Sequence, residues 1–481
     1  MLIRSKKAKL TIRSCNSFET WDPKNIVTVR LCLYEMDRVE EINLSLIPQL
    51  TLEEIFQDLP RSAPQLHTLC IRSYYFRSGS AFQIHEDFLY DTERLKSVEL
   101  SNCKISWESR LLTGLTRLTI EVEDFLETDS SINQFLLALQ RMPALTDLHL
   151  KDSIPDKSEG LSTHPFVDLP CLRVLHISSG VGSLTTVLRH ITFPHSATLN
   201  LTCKENHSTQ VDFSNFLSVL ATKFLSSLVV RSLSLRALDG TQTHGLEFYL
   251  WTTAFIRDCF PSSLTYQTQL HLVLSWPSSQ PHTGDHVKAL TCAFDAMNLP
   301  FLSQLQISTL DYIDSQTWVK TFGKLPLLER VCLESYAPQS YAPHSFLEAL
   351  VYKTEAAEKS KTAYHIVSFP NLRYIHLEGA NFFPTSPMSF SVDMLLDCLM
   401  ERCERNAEIE VLRLDECYFI SPDDVKRLEE IVVDVIWDGV QQRASEEESE
   451  EDYDDDNENA IDLLEYDYED LSEYSGSEEL W

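Results

Sequence analysis

An apolar phrase, Leu-x-x-Leu-x-Leu with Val or Ile admitted at each apolar place, recurs along nearly the whole chain and constrains its fold more than any other feature. Clear copies are Leu66-x-x-Leu69-x-Ile71, Leu95-x-x-Val98-x-Leu100, Leu115-x-x-Leu118-x-Ile120, Leu145-x-x-Leu148-x-Leu150 and Leu172-x-x-Leu175-x-Ile177. Four more are Leu302-x-x-Leu305-x-Ile307, Leu328-x-x-Val331-x-Leu333, Leu372-x-x-Ile375-x-Leu377 and Ile409-x-x-Leu412-x-Leu414. Degenerate copies centre on Leu199, Leu233 and Leu270, and the central positions from 69 to 412 recur with a mean period of about 31 residues. Apolar residues at alternate positions give a strand one buried face. A single unit cannot bury that face alone, but stacked copies can.

Proline stands two residues ahead of the first leucine in six copies, at Pro64, Pro143, Pro170, Pro300, Pro326 and Pro370. It cannot continue a helix, so each marks where one element stops and an extended one begins. Amphipathic stretches with N-cap residues lie between phrases: from Ser131, from Asp212, over 314–324 from Asp314, over 391–404 from Ser391, and from Ser421 over 422–442. In the last, Val425, Leu428, Ile431, Val432 and Val435 should face inward as a closing helix. The unit reads as a strand, a turn, a helix and a proline-marked return, which is an α/β fold.

Charge divides the chain unevenly. Of 481 residues, 40 are Lys or Arg against 72 Asp or Glu, a formal charge of −32. Residues 445–481 hold 18 acidic and no basic residues, leaving −14 for residues 1–444. Runs such as Glu446-Glu447-Glu448 and Asp454-Asp455-Asp456 repel themselves, so 445–481 should be a disordered acidic tail behind a repeat domain over 1–444. So negative a chain disfavours nucleic acid and anionic membranes as partners. Twelve glycines and the absence of phosphate-loop motifs remove the usual nucleotide enzymes. No apolar run approaches a membrane span, and the N-terminus is charged where a signal peptide would be apolar. Twelve scattered cysteines without a Cys-x-x-Cys read as reduced, buried thiols, so a cytoplasmic or nuclear location is expected.

No catalytic, cofactor or metal constellation is legible. His282-x-x-x-His286 has no third ligand at a fixed offset, and Cys398 and Cys403 fall on a predicted helix as structural thiols. His164, His190, His195 and His207 have no nucleophile pattern near them. The expectation is a chain without chemistry of its own.

The phrase resembles the leucine-rich repeat, whose pattern continues with Asn or Cys three residues after the last leucine; here Ile12-x-x-Cys15, Leu100-x-x-Cys103 and Leu414-x-x-Cys417 match. The resemblance implies a solenoid with short parallel strands on a concave face and helices on the convex face, and a turn-bonding role for those cysteines. Long irregular repeats, the prolines and the segments 95–118, 134–145 and 190–194 resemble more narrowly the F-box proteins abundant in mushroom-forming fungi. That family pairs a Skp-binding helical module with target-binding repeats in a ubiquitin ligase. No Leu-Pro-x-Glu opening of an F-box is found, and 4–12 resembles the linker that would follow one, so a Skp-type adaptor is expected only if an F-box lies upstream. Two other readings remain open: an acidic leucine-rich nuclear scaffold that binds histones, and a GTPase activator of the Ran type.

Strand alternation also maps an outward face. His149, His176, His271 and His376 take the slot between the two core residues of their phrases, and Arg117, Arg330, Tyr374 and Arg413 project from the same side. Each alone is an ordinary solvated strand residue. Together Arg117, His149, His176, Arg330, Tyr374, His376 and Arg413 are the expected contacts for a protein ligand on the concave face.

Overall fold

Every copy of the phrase forms a strand in the computed structural model of the chain, and its two alternate apolar residues are at most 2 % exposed in all nine clear copies. The structure describes residues 8–440 except 15–22, 60–61, 75–81, 86–87, 90, 123–129, 156–163, 206–211, 241–242, 256–267, 278–282, 312, 336–340, 353–366 and 384–389. The expected tail 445–481, Cys15, His207, Cys259 and His282 lie outside the described residues.

Among the described residues, sixteen strands make one mixed, mostly parallel sheet. The first eight are β1 (Leu10–Arg13), β2 (Val39–Pro48), β3 (Thr68–Tyr74), β4 (Ser97–Ser101), β5 (Arg117–Glu121), β6 (Asp147–Lys151), β7 (Val174–Gly180) and β8 (Thr198–Lys204). Each lies parallel to the one before it. The sheet also contains β9 (Ser232–Asp239), β10 (Thr243–Trp251), β11 (Leu270–Pro277), β12 (Gln304–Ser308), β13 (Arg330–Glu334), β14 (Tyr374–Glu378), β15 (Val411–Asp415) and β16 (Asp434–Trp437). From β12 to β16 the parallel order resumes.

Two expectations are corrected. The degenerate copies at Leu233 and Leu270 keep the common strand direction, each parallel to one phrase-bearing neighbour, but they do not follow one another in the sheet. A strand without the phrase, β10, lies antiparallel between them, so the sheet runs β8-β11-β10-β9-β12. Leu246, Phe248 and Leu250 give β10 the two-residue alternation of a strand. The Gly240 N–H donates to the Thr243 carbonyl at 2.9 Å, extending the antiparallel pairing of β9 and β10 one step beyond Asp239 and His244. The closing helix expected over 422–442 stops at Glu429, and Val435 lies in β16 instead. The run Val432-Val433-Asp434-Val435-Ile436-Trp437 is β-branched and aromatic, a composition that packs better on a sheet than in a helix turn.

The prolines act as turn formers. Behind each of the six, the first leucine's N–H donates to the carbonyl of the residue before proline: Leu66 to Ala63, Leu145 to Met142, Leu172 to Leu169, Leu302 to Leu299, Leu328 to Leu325 and Leu372 to Phe369, at 3.1–3.5 Å. Proline thus occupies the second position of a four-residue turn, where its fixed φ is already correct. The far ends of the strands turn with a left-handed residue: Asn102, Asp152, Thr309, Gly379 and Glu416 directly follow β4, β6, β12, β14 and β15 with φ between 52° and 69°. The two described cysteines of the extended phrase bond these turns, Cys103 donating to the Ser101 carbonyl at 3.3 Å and Cys417 to the Asp415 carbonyl at 3.4 Å.

Four of the five expected helices begin at the expected cap; the fifth, Ser214–Lys223, starts one residue later than Asp212 implied, with Phe213 as its N-cap and Asp212 accepting from the Ser214 N–H at 2.9 Å. Ser131 and Ser421 form capping boxes with Gln134 and Asp424, and Asp314 and Ser391 accept from the third helical N–H. Apolar residues of the helices join the strand leucines in one continuous core. Among the described residues one charged side chain sits fully inside it: Arg402 on the helix Val392–Glu404 donates to the carbonyls of Ala407, Ser368 and Phe369, each at 3.0 Å, and burial pulls its pKa down to about 10. It ties the end of its helix to the turn that starts β14.

Leu148→Ala or Leu305→Ala should cost about 2–5 kcal/mol, measured by urea melts, because each opens a cavity between strands that are already filled. Gly379→Ala should be destabilising by at least about 1–3 kcal/mol from its positive φ alone. The new Cβ would also collide with the Ser335 carbonyl oxygen.

Candidate functional site

The second face of the sheet carries polar side chains in register. One row crosses from Thr119 on β5 through His149, His176, Asn200, His271, Tyr249, Ser234, Gln306, Cys332 and His376 to Arg413 on β15. Beside it runs a second row that ends Ser308, Glu334, Glu378 and Asp415. All seven expected contact residues lie on this face, in two groups. Arg117, His149 and His176 stand on β5 to β7; Arg330, Tyr374, His376 and Arg413 stand on β13 to β15. Five strands lie between β7 and β13, so at about 4.8 Å per strand the groups are roughly 29 Å apart.

In the first group, the exposed Arg117 guanidinium lies 3.4 Å from Asp147, a pair open to solvent and of small energetic weight. The His149 and His176 rings meet at 5.3 Å. Burial, then the neighbouring His149, His271 and Lys151, pushes the His176 pKa down to about 4, so its ring is neutral at physiological pH. Toward the middle of the face, Tyr249 stacks flat on His271 at 4.4 Å, and both donate to Glu247 Oε1, at 2.8 and 2.9 Å. Burial raises the Glu247 carboxyl, but these hydrogen bonds outweigh it and hold the group below its ordinary pKa.

The second group is denser than its sequence implied. Arg330 lies over the Tyr374 ring at 5.0 Å, a cation–π contact. His376 is only 7 % exposed, so it is not the solvated strand residue expected; Cys332 beside it is 5 % exposed, and Gln304, Gln306 and Ser308 on the neighbouring β12 are buried as well. Part of the cover is the chain itself. The segment behind β10 folds over β12, with the Phe255 N–H and carbonyl both bonded to the Gln304 amide at 2.8 Å.

Cys332, His376 and Asp415 form a line: Sγ lies 3.1 Å from His376 Nδ1, and His376 Nε2 lies 3.0 Å from Asp415 Oδ2, which also accepts from Arg413 Nε at 2.5 Å. A carboxylate facing Nε2 assigns the ring proton to that nitrogen and leaves the Nδ1 lone pair aimed at the sulfur. The line has the order of a cysteine nucleophile with its base and orienting acid. Its electrostatics oppose that use. Burial raises the Cys332 thiol well above its ordinary pKa, and Glu334, Glu378 and Asp415 add to the rise; burial also lowers His376. Thiol and imidazole therefore rest neutral.

Glu378, two residues from His376 on the same face of β14, stands between Glu334 and Asp415. Gln306 and Ser308 donate to the two oxygens of Glu334. Burial, then Glu334, Glu416 and Asp415, raises the Glu378 pKa to about 7, with Arg413 opposing. Ligand atoms of Cys332, His376 and Glu378 all lie within 4.8 Å of one another. Sequence reading missed this cluster, although Cys332 and His376 occupy the same middle slot of consecutive phrases and Glu378 follows two residues on. His286, by contrast, is packed between the rings of Trp276 and His244 as a core residue.

Because folded Glu378 holds its proton up to about pH 7 and the unfolded residue loses it near 4.5, the folded state binds more protons across that window. The residue's contribution to stability therefore falls as pH rises through it. Glu378→Gln should raise the melting temperature at pH 8, in the presence of EDTA, and change it little at pH 4. An equal effect at both would contradict the placement of this carboxyl.

Compared with known proteins, the chain matches no protein-family model and no curated protein at a significant level.

Proposed function

We propose that this chain is a leucine-rich-repeat protein, a solenoid whose polar sheet face is concave and captures a protein ligand without chemistry of its own. The observation that carries this reading is the pair of in-register polar rows on a sheet whose opposite face is wholly given to the core. Such a face presents aromatic and arginine side chains, Tyr374 with Arg330 and Tyr249 with His271, at fixed spacing on rigid strands, the composition favoured where proteins anchor one another. Within that reading, the chain is the target-recognition part of an F-box-type ubiquitin ligase subunit or an F-box-less relative, and its location is cytoplasmic or nuclear. The support for the narrower claim is the family resemblance of the repeats.

A second reading, an acidic leucine-rich scaffold that binds histones, draws support from one observation: Glu334, Glu378 and Asp415 stand in register on adjacent strands, a negative stripe suited to a basic ligand.

Affinity purification tests both. Replacing Arg117, His149, Arg330 and Tyr374 together by Ala should remove the captured protein while the circular dichroism spectrum stays unchanged, with a true anchor costing at least about 2 kcal/mol. The same partners on wild type and variant would overturn the capture face. Co-purification of a Skp-type adaptor and cullin supports the ligase reading. Histones retained by the full chain but lost with Glu334→Gln and Asp415→Asn would favour the scaffold.

A further inference from the structure

Three kinds of donor converge on one spot of the sheet. Cys332 and His376 are a direct cross-strand pair on β13 and β14, and Glu378 lies two residues beyond His376, so strand geometry alone places all three on one face. Their ligand atoms lie within 4.8 Å of one another. Asp415 at 3.0 Å from His376 Nε2 holds the ring so that Nδ1 presents its lone pair to the shared space. A carboxylate behind a ligating histidine is the usual outer support of a metal site, since it fixes the tautomer and makes the ring more basic.

Charge points the same way. Glu334, Glu378 and Asp415 stand in register on adjacent strands around the site, with Arg413 bonded to Asp415. A divalent ion would relieve the repulsion of these carboxylates and stabilise the thiolate that burial otherwise forbids. We propose that Cys332, His376 and Glu378 form a binding site for a divalent cation of the zinc class, with Sγ, Nδ1 and a carboxylate oxygen as ligands and Asp415 as the support of the histidine. Sulfur, imidazole and carboxylate together select a borderline-soft ion such as Zn²⁺ over Mg²⁺ or Ca²⁺, which take oxygen ligands. Tetrahedral zinc sets sulfur and nitrogen about 3.5 Å apart. The 3.1 Å pair therefore opens by a few tenths of an ångström on binding. Three protein ligands leave a fourth position for water. Binding is balanced by release of the thiol proton, and of any proton on the ligating carboxyl, to solvent. The site does not depend on the protein-capture reading.

Cobalt is the probe. The full chain, reduced and stripped of metal, should take up one equivalent of Co²⁺ with a near-ultraviolet thiolate-to-cobalt charge-transfer band, and Zn²⁺ should abolish the band by displacement. Cys332→Ser should lose it. Cys70→Ser should keep it, because that buried thiol lies beside Glu99 and Arg72 on β3, far from the cluster. Asp415→Asn should weaken Zn²⁺ in competition with a chromophoric chelator by about 10–100-fold, and Glu378→Gln by at least about tenfold. Circular dichroism establishes that each variant is folded, and Glu378→Gln, which removes a repelled charge, keeps the test open if Cys332→Ser does not fold. Absence of the band at equimolar Co²⁺, a band that survives Cys332→Ser, or equal Zn²⁺ affinity in wild type and Glu378→Gln would each overturn the proposal. So would rapid alkylation of Cys332 without metal uptake, the signature of a nucleophile.

Discussion

Two apolar side chains one residue apart, repeated on every strand, hold the sheet in register. In the row Leu118, Leu148, Leu175, Leu199 and Leu270, each residue is fully buried and stands directly beside the next. A slip of one residue on any strand would turn these leucines to the polar face and drive His149 or His176 into the core. Each such leucine contributes about 1.5–3 kcal/mol by leaving water, and the slip would lose two or three at once. Everything else on the sheet, including the alignment of Cys332, His376 and Arg413, depends on that register.

Polar crowding on the second face follows from the same alignment. Parallel strands in register put position n of each strand beside position n of the next, so a recurrent residue type becomes a row. Where the type is Glu or Asp, the row concentrates charge, and the pKa of the central Glu378 records the cost. Where it is His beside Tyr or Cys, the row becomes a chain of hydrogen bonds and stacked rings. The distal group on β13 to β15 is more deeply enclosed than the group on β5 to β7: Cys332 and His376 are buried, whereas His149 and His176 are half-buried and Arg117 is exposed.

Most of the strands were legible in the sequence because their signal is local: two leucines and a proline-led turn specify a strand within eight residues. Helix starts were legible for the same reason, as at Ser131, Asp314, Ser391 and Ser421. Strand β10 was not, since it enters from a hairpin and needs neither the proline nor the leading leucine. The run after Glu429 was misread because its apolar spacing fits a helix, and only the β-branching of Val432, Val433, Val435 and Ile436 argued otherwise. Of the site, the outward face and its seven residues were legible from alternation. The burial of His376 was not, because it depends on the side chains that the neighbouring strands set beside it, Cys332 on one side and Asp415 on the other.

The reversed order at β9, β10 and β11 has a consequence for how the chain assembles as it emerges from the ribosome. Up to Lys204 each new strand finds its permanent neighbour already made, and the sheet grows at one edge. Strand β9 breaks that pattern: the edge of β8 belongs to β11, and both neighbours of β9, β10 and β12, are synthesised after it. Ser232 waits 72 residues for its partner Gln304. During that interval the edge of β8 and the apolar face of β9 are both open, an exposure typical of pairings between distant segments. Residues 232–304 are thus the stretch of this chain most open to mispairing, and the one where a chaperone would have most to protect.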